Sequence, residues 1–115
     1  MVHGIIYAII DDGYFYIGST KQTLELRIYQ HIMDSKTDSH KNSKIYKYIN
    51  EIRGGWNDII YITLEEVECN NINELKKIEY QYIEKCINDN KCLNTVKNIK
   101  HEYVIRNIKN KKYYK

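Results

Sequence analysis

Two short runs of β-branched and aromatic residues flank a tight-turn signal, and this pairing constrains the chain more than any other feature. Residues 4–10 read Gly-Ile-Ile-Tyr-Ala-Ile-Ile, and residues 14–18 read Tyr-Phe-Tyr-Ile-Gly, with Asp11-Asp12-Gly13 between them. Asp-Gly between hydrophobic runs signals a hairpin, because the favoured two-residue turn needs positive φ at both positions. The chain therefore opens with a β-hairpin. Side chains alternate across a strand, so Ile5, Tyr7 and Ile9 share one face of the first strand. On the second, Tyr14, Tyr16 and Gly18 share a face, with Phe15 and Ile17 opposite.

The pattern then changes period. Ser19, Thr20 or Thr23 can cap a helix over about 24–34, where Leu24, Ile28 and Ile32 form one stripe and Arg27 and His31 lie at its edge. Residues 35–43 are polar and read as a loop. A second helix, about 44–53, puts Ile45, Tyr48, Ile49 and Ile52 on one face, and Gly54-Gly55 stops it. Residues 58–68 read as a third strand. One of residues 70–73 caps a third helix over about 74–88, and Asn88-Asp89-Asn90 ends it. The order strand, strand, helix, helix, strand, helix predicts an α/β chain of the α+β kind: a small three-stranded antiparallel sheet with helices on its faces.

At 115 residues the chain is sized for one domain. The expected division is a domain over 1–96 with 97–115 as an extension, not a second domain. No run approaches the roughly 18–20 apolar residues that span a bilayer. The start lacks the charged-then-apolar pattern of a secretory signal. Three cysteines, Cys69, Cys86 and Cys92, form no Cys-x-x-Cys pair and have no His at a zinc-like offset, so they read as free thiols. These features point to an intracellular protein without membrane contact. Ile, Asn, Lys and Tyr make up more than half of the chain. All four have AT-rich codons, so the twelve tyrosines are not in themselves a sign of base stacking.

Charge is unevenly placed. The net formal charge is +3, yet residues 97–115 hold seven Lys or Arg against one Glu, which leaves the rest mildly acidic. A basic tail on such a body adds sequence-independent affinity for phosphate. A solvated tail is the plainer alternative.

One carboxylate stands out. In the third helix, Leu75, Tyr82, Ile83 and Cys86 form an apolar stripe, and Glu79 falls inside it. An inward carboxylate is costly unless a cation or metal meets it. Helical geometry alone leaves open a rim Glu paired with Lys or Arg. Likewise, Arg27 and His31 read either as a border pair or as chemistry, and the hairpin tyrosines either as packing or as chemistry.

Taken together in order, these residues resemble the GIY-YIG nuclease superfamily. The first motif reads Gly4-Ile5-Ile6-Tyr7, with one extra Ile before the Ile-Tyr pair, and the second reads Tyr16-Ile17-Gly18 followed by Ser19-Thr20-Lys21. Leu24, Arg27 and His31 follow in the pattern Leu-x-x-Arg-x-x-x-His, and Glu79 and Leu93-Asn94 complete the set. The resemblance covers roughly residues 3–95. It implies a metal-dependent DNA endonuclease that hydrolyses phosphodiester bonds. Glu79 is implied as the ligand of one divalent ion, Mg²⁺ or else Mn²⁺, which needs few protein oxygens because it keeps its waters. Arg27 is implied to hold the scissile phosphate. Tyr7 resembles the general base, with Arg27 and the metal expected to favour its phenolate. By the same resemblance, Tyr16 is implied to position water or phosphate, His31 to relay a proton or bond a tyrosine hydroxyl, and Asn94 to organise the site.

DNA contacts are expected from Gly18, Lys21 and Arg27, and from Lys109, Lys111 and Lys112 of the tail, although Lys21 also fits as a solvated side chain. No second DNA-reading motif is evident, so structure-selective or low-specificity cutting, as in repair or recombination, is the expected mode. Three alternatives compete: a non-catalytic nucleic-acid-binding module, a protein-interaction domain, and a nuclease subunit needing a targeting partner or a homodimer.

Overall fold

The structure is a computed structural model and describes residues 1–95. The tail residues Lys109, Lys111 and Lys112 lie outside the described residues. Strands β1 (Val2–Asp11) and β2 (Tyr14–Thr20) form the hairpin. Asp12 and Gly13 both have positive φ, 50° and 81°, as the turn sequence requires. Asp11 pairs with Tyr14 and Tyr7 with Gly18. Strand β3 (Ile60–Cys69) joins the other side of β1, giving an antiparallel sheet of order β2-β1-β3. The β1–β3 register shifts between Ile6, which faces Glu65, and Tyr7, which faces Thr63, so Leu64 forms a bulge.

Each face of the sheet has its own core. On one side, Tyr7, Ile9 and Tyr16 pack with Ile28 of α1 (Leu24–Asp34) and with Ile45, Tyr46, Tyr48 and Ile49 from the second helical segment. On the other, Ile6, Ile17, Val67 and Cys69 pack with Leu75, Tyr80 and Ile83 of α3 (Ile72–Glu84). The faces expected for the hairpin are those observed. Helix α1 keeps its expected bounds, and Thr23 is its cap, accepting from the Leu26 amide at 3.3 Å. Asn71 caps α3 by accepting from the Glu74 amide at 3.0 Å.

Three boundaries differ from the sequence reading. The second helix is α-helical only over Lys44–Lys47 (α2) and continues as a π-helix over Tyr48–Arg53. The Gly54 amide bonds to the Ile49 carbonyl five residues back. The wider π turn rotates Ile52 off the expected face, and it is 76% exposed. Strand β3 begins at Ile60 and not at 58, because Asp58 has a left-handed φ of 60°. Helix α3 ends at Glu84 and not near 88. Its backbone passes into i→i+3 turns that link the Cys86 amide to Ile83 and the Asp89 amide to Cys86.

The outer edge of β2 is closed by residues 91–94. Phe15 exchanges backbone bonds with Lys91 and Leu93, at 3.0 and 2.7 Å. The Asn94 side chain then accepts from the Ile17 amide at 2.9 Å and donates to the Ile17 carbonyl at 2.8 Å. Among the described residues no helix is long and apolar enough to cross a membrane.

Candidate active site

The expected residues converge around Gly18 and Ser19 of β2. Tyr7 lies opposite Gly18 on β1, and its ring folds over that glycine. A Cβ added at Gly18 would sit 2.4 Å from the Tyr7 hydroxyl oxygen. Only glycine leaves room for the phenol. The next residue, Ser19, points to the other face and donates to Glu79 Oε1 from its Oγ. Glu79 is therefore inward, as its place in the apolar stripe suggested, and only 5% exposed. Lys76, one turn earlier in α3, also reaches Oε1, at 3.3 Å. Both contacts fall on the same oxygen, leaving Oε2 clear of them. Glu79 lies close enough to oppose ionisation of both Tyr7 and Tyr16. Carboxylate and phenols thus approach one stretch of β2 from its two sides.

Arg27 is half-buried on α1 and acts directly on the Tyr7 hydroxyl. Desolvation works against its charge, but the neighbouring phenols of Tyr7, Tyr16 and Tyr46 outweigh that and raise its pKa. Its Nη1 also donates to Gln30 Oε1 at 3.4 Å.

His31 departs from the sequence reading. It is not at the edge of a stripe but 1% exposed, in the middle of the first core. Its Nε2 lies 2.7 Å from the Tyr7 hydroxyl and its Nδ1 lies 2.7 Å from the Tyr46 hydroxyl. Tyr16 meets the ring edge-on, with centroids 5.6 Å apart, and Trp56 stacks over it at 6.3 Å. The reason is local: one turn after Arg27, position 31 faces the sheet, and paired hydroxyls offset the burial of its polar nitrogens. Burial pushes the His31 pKa down to about 3, with Arg27 adding to the effect, so the imidazole is neutral near pH 7.

Burial dominates at Tyr7 and raises its pKa well above the ordinary tyrosine value, although Arg27 pulls in the opposite direction. Tyr16 is raised further, again by burial first and then by Tyr7. Asn94 is 2% exposed and spends its amide on the β2 backbone, and Lys21 is exposed.

Among the described residues no group of three or more His, Cys, Asp or Glu could hold a metal ion. The available donor is the single Glu79 carboxylate. That set fits a hard divalent ion that keeps its own waters and takes further oxygens from a phosphate, and it does not fit a zinc cage. Ser19 and Tyr46 were missed as site residues in the sequence. Ser19 was read as a possible helix cap and quoted beside the second motif without a role, and Tyr46 is buried although it lies off the stripe expected for the second helix. A cavity of about 360 Å³ lined by Tyr14, Lys44, Lys47, Tyr48, Glu51, Ile52, Asn90 and Leu93 contains none of the site residues.

The three-stranded antiparallel sheet with helices on both faces, carrying two buried phenols on its hairpin, makes this an α+β domain. The chain belongs to the GIY-YIG family: the GIY-YIG catalytic domain matches residues 3–91. Asn94 lies just beyond the matched stretch. Membership carries a nuclease-type, endonucleolytic function in general, with DNA as substrate. No curated protein and no solved structure matches the chain.

Proposed function

We propose that this protein is a divalent-metal-dependent DNA endonuclease that hydrolyses phosphodiester bonds with structure-selective or low sequence specificity. One observation carries the reading: Gly18 and Ser19 bring the Tyr7 hydroxyl and the Glu79 carboxylate to the same stretch of β2, with Arg27 beside Tyr7. In this reading Arg27 grips a non-bridging oxygen of the scissile phosphate, where its planar fork stabilises developing charge. Glu79 holds the divalent ion, Mg²⁺ or Mn²⁺, with Ser19 fixing the carboxylate. When bound, that ion supplies positive charge at the phosphate and the departing oxygen. Tyr7 accepts a proton from the attacking water and hands its own to His31. Tyr16 walls the site and orients the phosphate, and Asn94 keeps β2 in place. Lys21 and the basic residues after 96, Lys109, Lys111 and Lys112 among them, add contacts to the DNA backbone. Three free thiols fit a reducing, intracellular setting.

The test is nicking of supercoiled plasmid, then cleavage of labelled duplex, flap, junction and single-stranded DNA, with and without Mg²⁺ or Mn²⁺. Wild type cleaves only with metal. Glu79→Gln and Arg27→Ala fold but lose cleavage by a factor of about a hundred or more. Full activity in either variant overturns these roles. DNA binding without cleavage under every condition favours a non-catalytic module, and cleavage restored by an added protein favours a subunit of a larger nuclease.

A further inference from the structure

Resting on the nuclease reading, we propose that Tyr46 is the outlet of a proton chain that starts at Tyr7 and passes through His31. The chain is drawn by two 2.7 Å hydrogen bonds, Tyr7 Oη to His31 Nε2 and His31 Nδ1 to Tyr46 Oη. Both ring nitrogens are thus engaged by phenols, and nothing else of chemical consequence is asked of the imidazole. A neutral imidazole has one N–H and one lone pair, so the chain has a direction. With Tyr7 donating into Nε2, Nδ1–H donates to Tyr46. That arrangement turns the lone pairs of Tyr7 toward Arg27, one engaged by its guanidinium and one for the attacking water of the proposed reaction.

Burial makes a free-standing Tyr7 phenolate unfavourable, so a base at this position needs to shed its own proton as it gains another. The chain permits that. The proton of the attacking water moves to Tyr7 oxygen, and the Tyr7 proton moves to Nε2. The Nδ1 proton moves to Tyr46, and the Tyr46 proton passes to a solvent water at the Asp34 end. One proton enters and one exits, and every group ends neutral, with the imidazole in its other tautomer. After product departs, water entering the site accepts the outward proton of Tyr7 and the chain runs back.

The surroundings of Tyr46 suit an outlet. Asp34, at the end of α1, is half-buried, and its carboxylate acts on the Tyr46 hydroxyl. A negative group at that end draws the leaving proton outward. Trp56 covers the chain from one side: it stacks on His31, lies 6.2 Å from the Tyr46 ring, and is anchored by Nε1 donating to Ser35 Oγ at 3.0 Å. Tyr46 touches no substrate and acts through His31 and Tyr7, so it is a positioning residue.

Two measurements test this. Side-chain ¹⁵N NMR of the wild type, without DNA, is expected to show His31 protonated on Nδ1 and bare on Nε2; the opposite tautomer overturns the proposal whatever the activity. Tyr46→Phe keeps the ring and removes the hydroxyl. It is expected to lower kcat by about ten- to a hundredfold, with KM and Mn²⁺ affinity unchanged. The dependence of rate on the D₂O fraction, bowed in wild type, becomes linear in the variant. A variant within twofold of wild-type kcat, or one whose loss lies in KM, overturns the chain. A wild type that nicks no DNA with either metal overturns the nuclease reading and the chain with it.

Discussion

The tightest constraint at the residue scale is Gly18. Its missing side chain is the space that the Tyr7 hydroxyl occupies. Gly18→Ala forces a clash inside a packed core, so the expected loss is about 1–3 kcal/mol of stability together with displacement of Tyr7. Urea unfolding and plasmid nicking read the two effects, and a variant with wild-type values for both contradicts this account. Lys76 invites a second substitution. Its ammonium pairs with Glu79 Oε1, so under the proposed role of Glu79 it competes with a divalent ion for the charge of that carboxylate. Lys76→Met is expected to tighten Mn²⁺ binding several-fold, as read by the Mn²⁺ electron paramagnetic resonance signal in the absence of DNA. Weaker or equal binding contradicts the competition. Site residues on strands and regular helices could be read from spacing, as Tyr7, Arg27 and Glu79 show. Ser19 and Tyr46 could not, because their importance lies in partners 60 and 15 residues away.

At the scale of elements, the hairpin was fully legible, and α1 was legible in its bounds but not in the depth at which His31 sits. Asp12-Gly13 admits one turn, and the apolar period of 24–34 admits one buried face. The second helix was legible in extent but not in phase. A π turn adds about one residue per turn, so a 3.6-residue template places Ile52 in the core when it is in solvent. Nothing in the local residues announces this widening. It goes with Arg53 reaching Asp11 at 2.9 Å and Tyr48 reaching the same carboxylate at 2.6 Å, contacts that tie the π segment to the hairpin turn. The segment 91–94 was equally hidden, since two Asn94 bonds to Ile17 replace a ladder that pattern reading would detect. Asn94→Ala is expected to cost about 1–3 kcal/mol by leaving buried backbone groups unpaired. Hydrogen exchange should accelerate at the Ile17 amide specifically, and unchanged protection there contradicts the latch.

Across the whole molecule, the buried imidazole makes stability depend on pH. The folded His31 pKa, about 3, lies below the ordinary histidine value, so the unfolded chain binds the extra proton first. Stability is therefore fully present above about pH 6.5 and declines as pH falls, with a limiting slope of about 1.4 kcal/mol per pH unit. Among the described residues His31 is the buried histidine, and the window between about pH 6.5 and pH 5 reads its contribution. Urea midpoints measured across that window should fall with acidification, and a flat profile contradicts the buried neutral ring. Charge asymmetry gives a separate expectation. Removing residues 97–115 takes away a net +6, so DNA affinity should drop and its salt dependence flatten. Equal affinity at all salt concentrations contradicts a role for those charges.

The order in which the polymer is made has a bearing on the cell that makes it. Tyr7 and Arg27 emerge early, whereas the acid that completes the centre comes 72 positions after Tyr7 and the clasp on the sheet's outer edge comes later still. A nascent chain that ends after α1 carries Tyr7 and Arg27 but lacks Glu79, the carboxylate proposed to hold the metal. Under the proposed roles, the capacity to cut therefore arrives only once Glu79, in the last third of the chain, has been made.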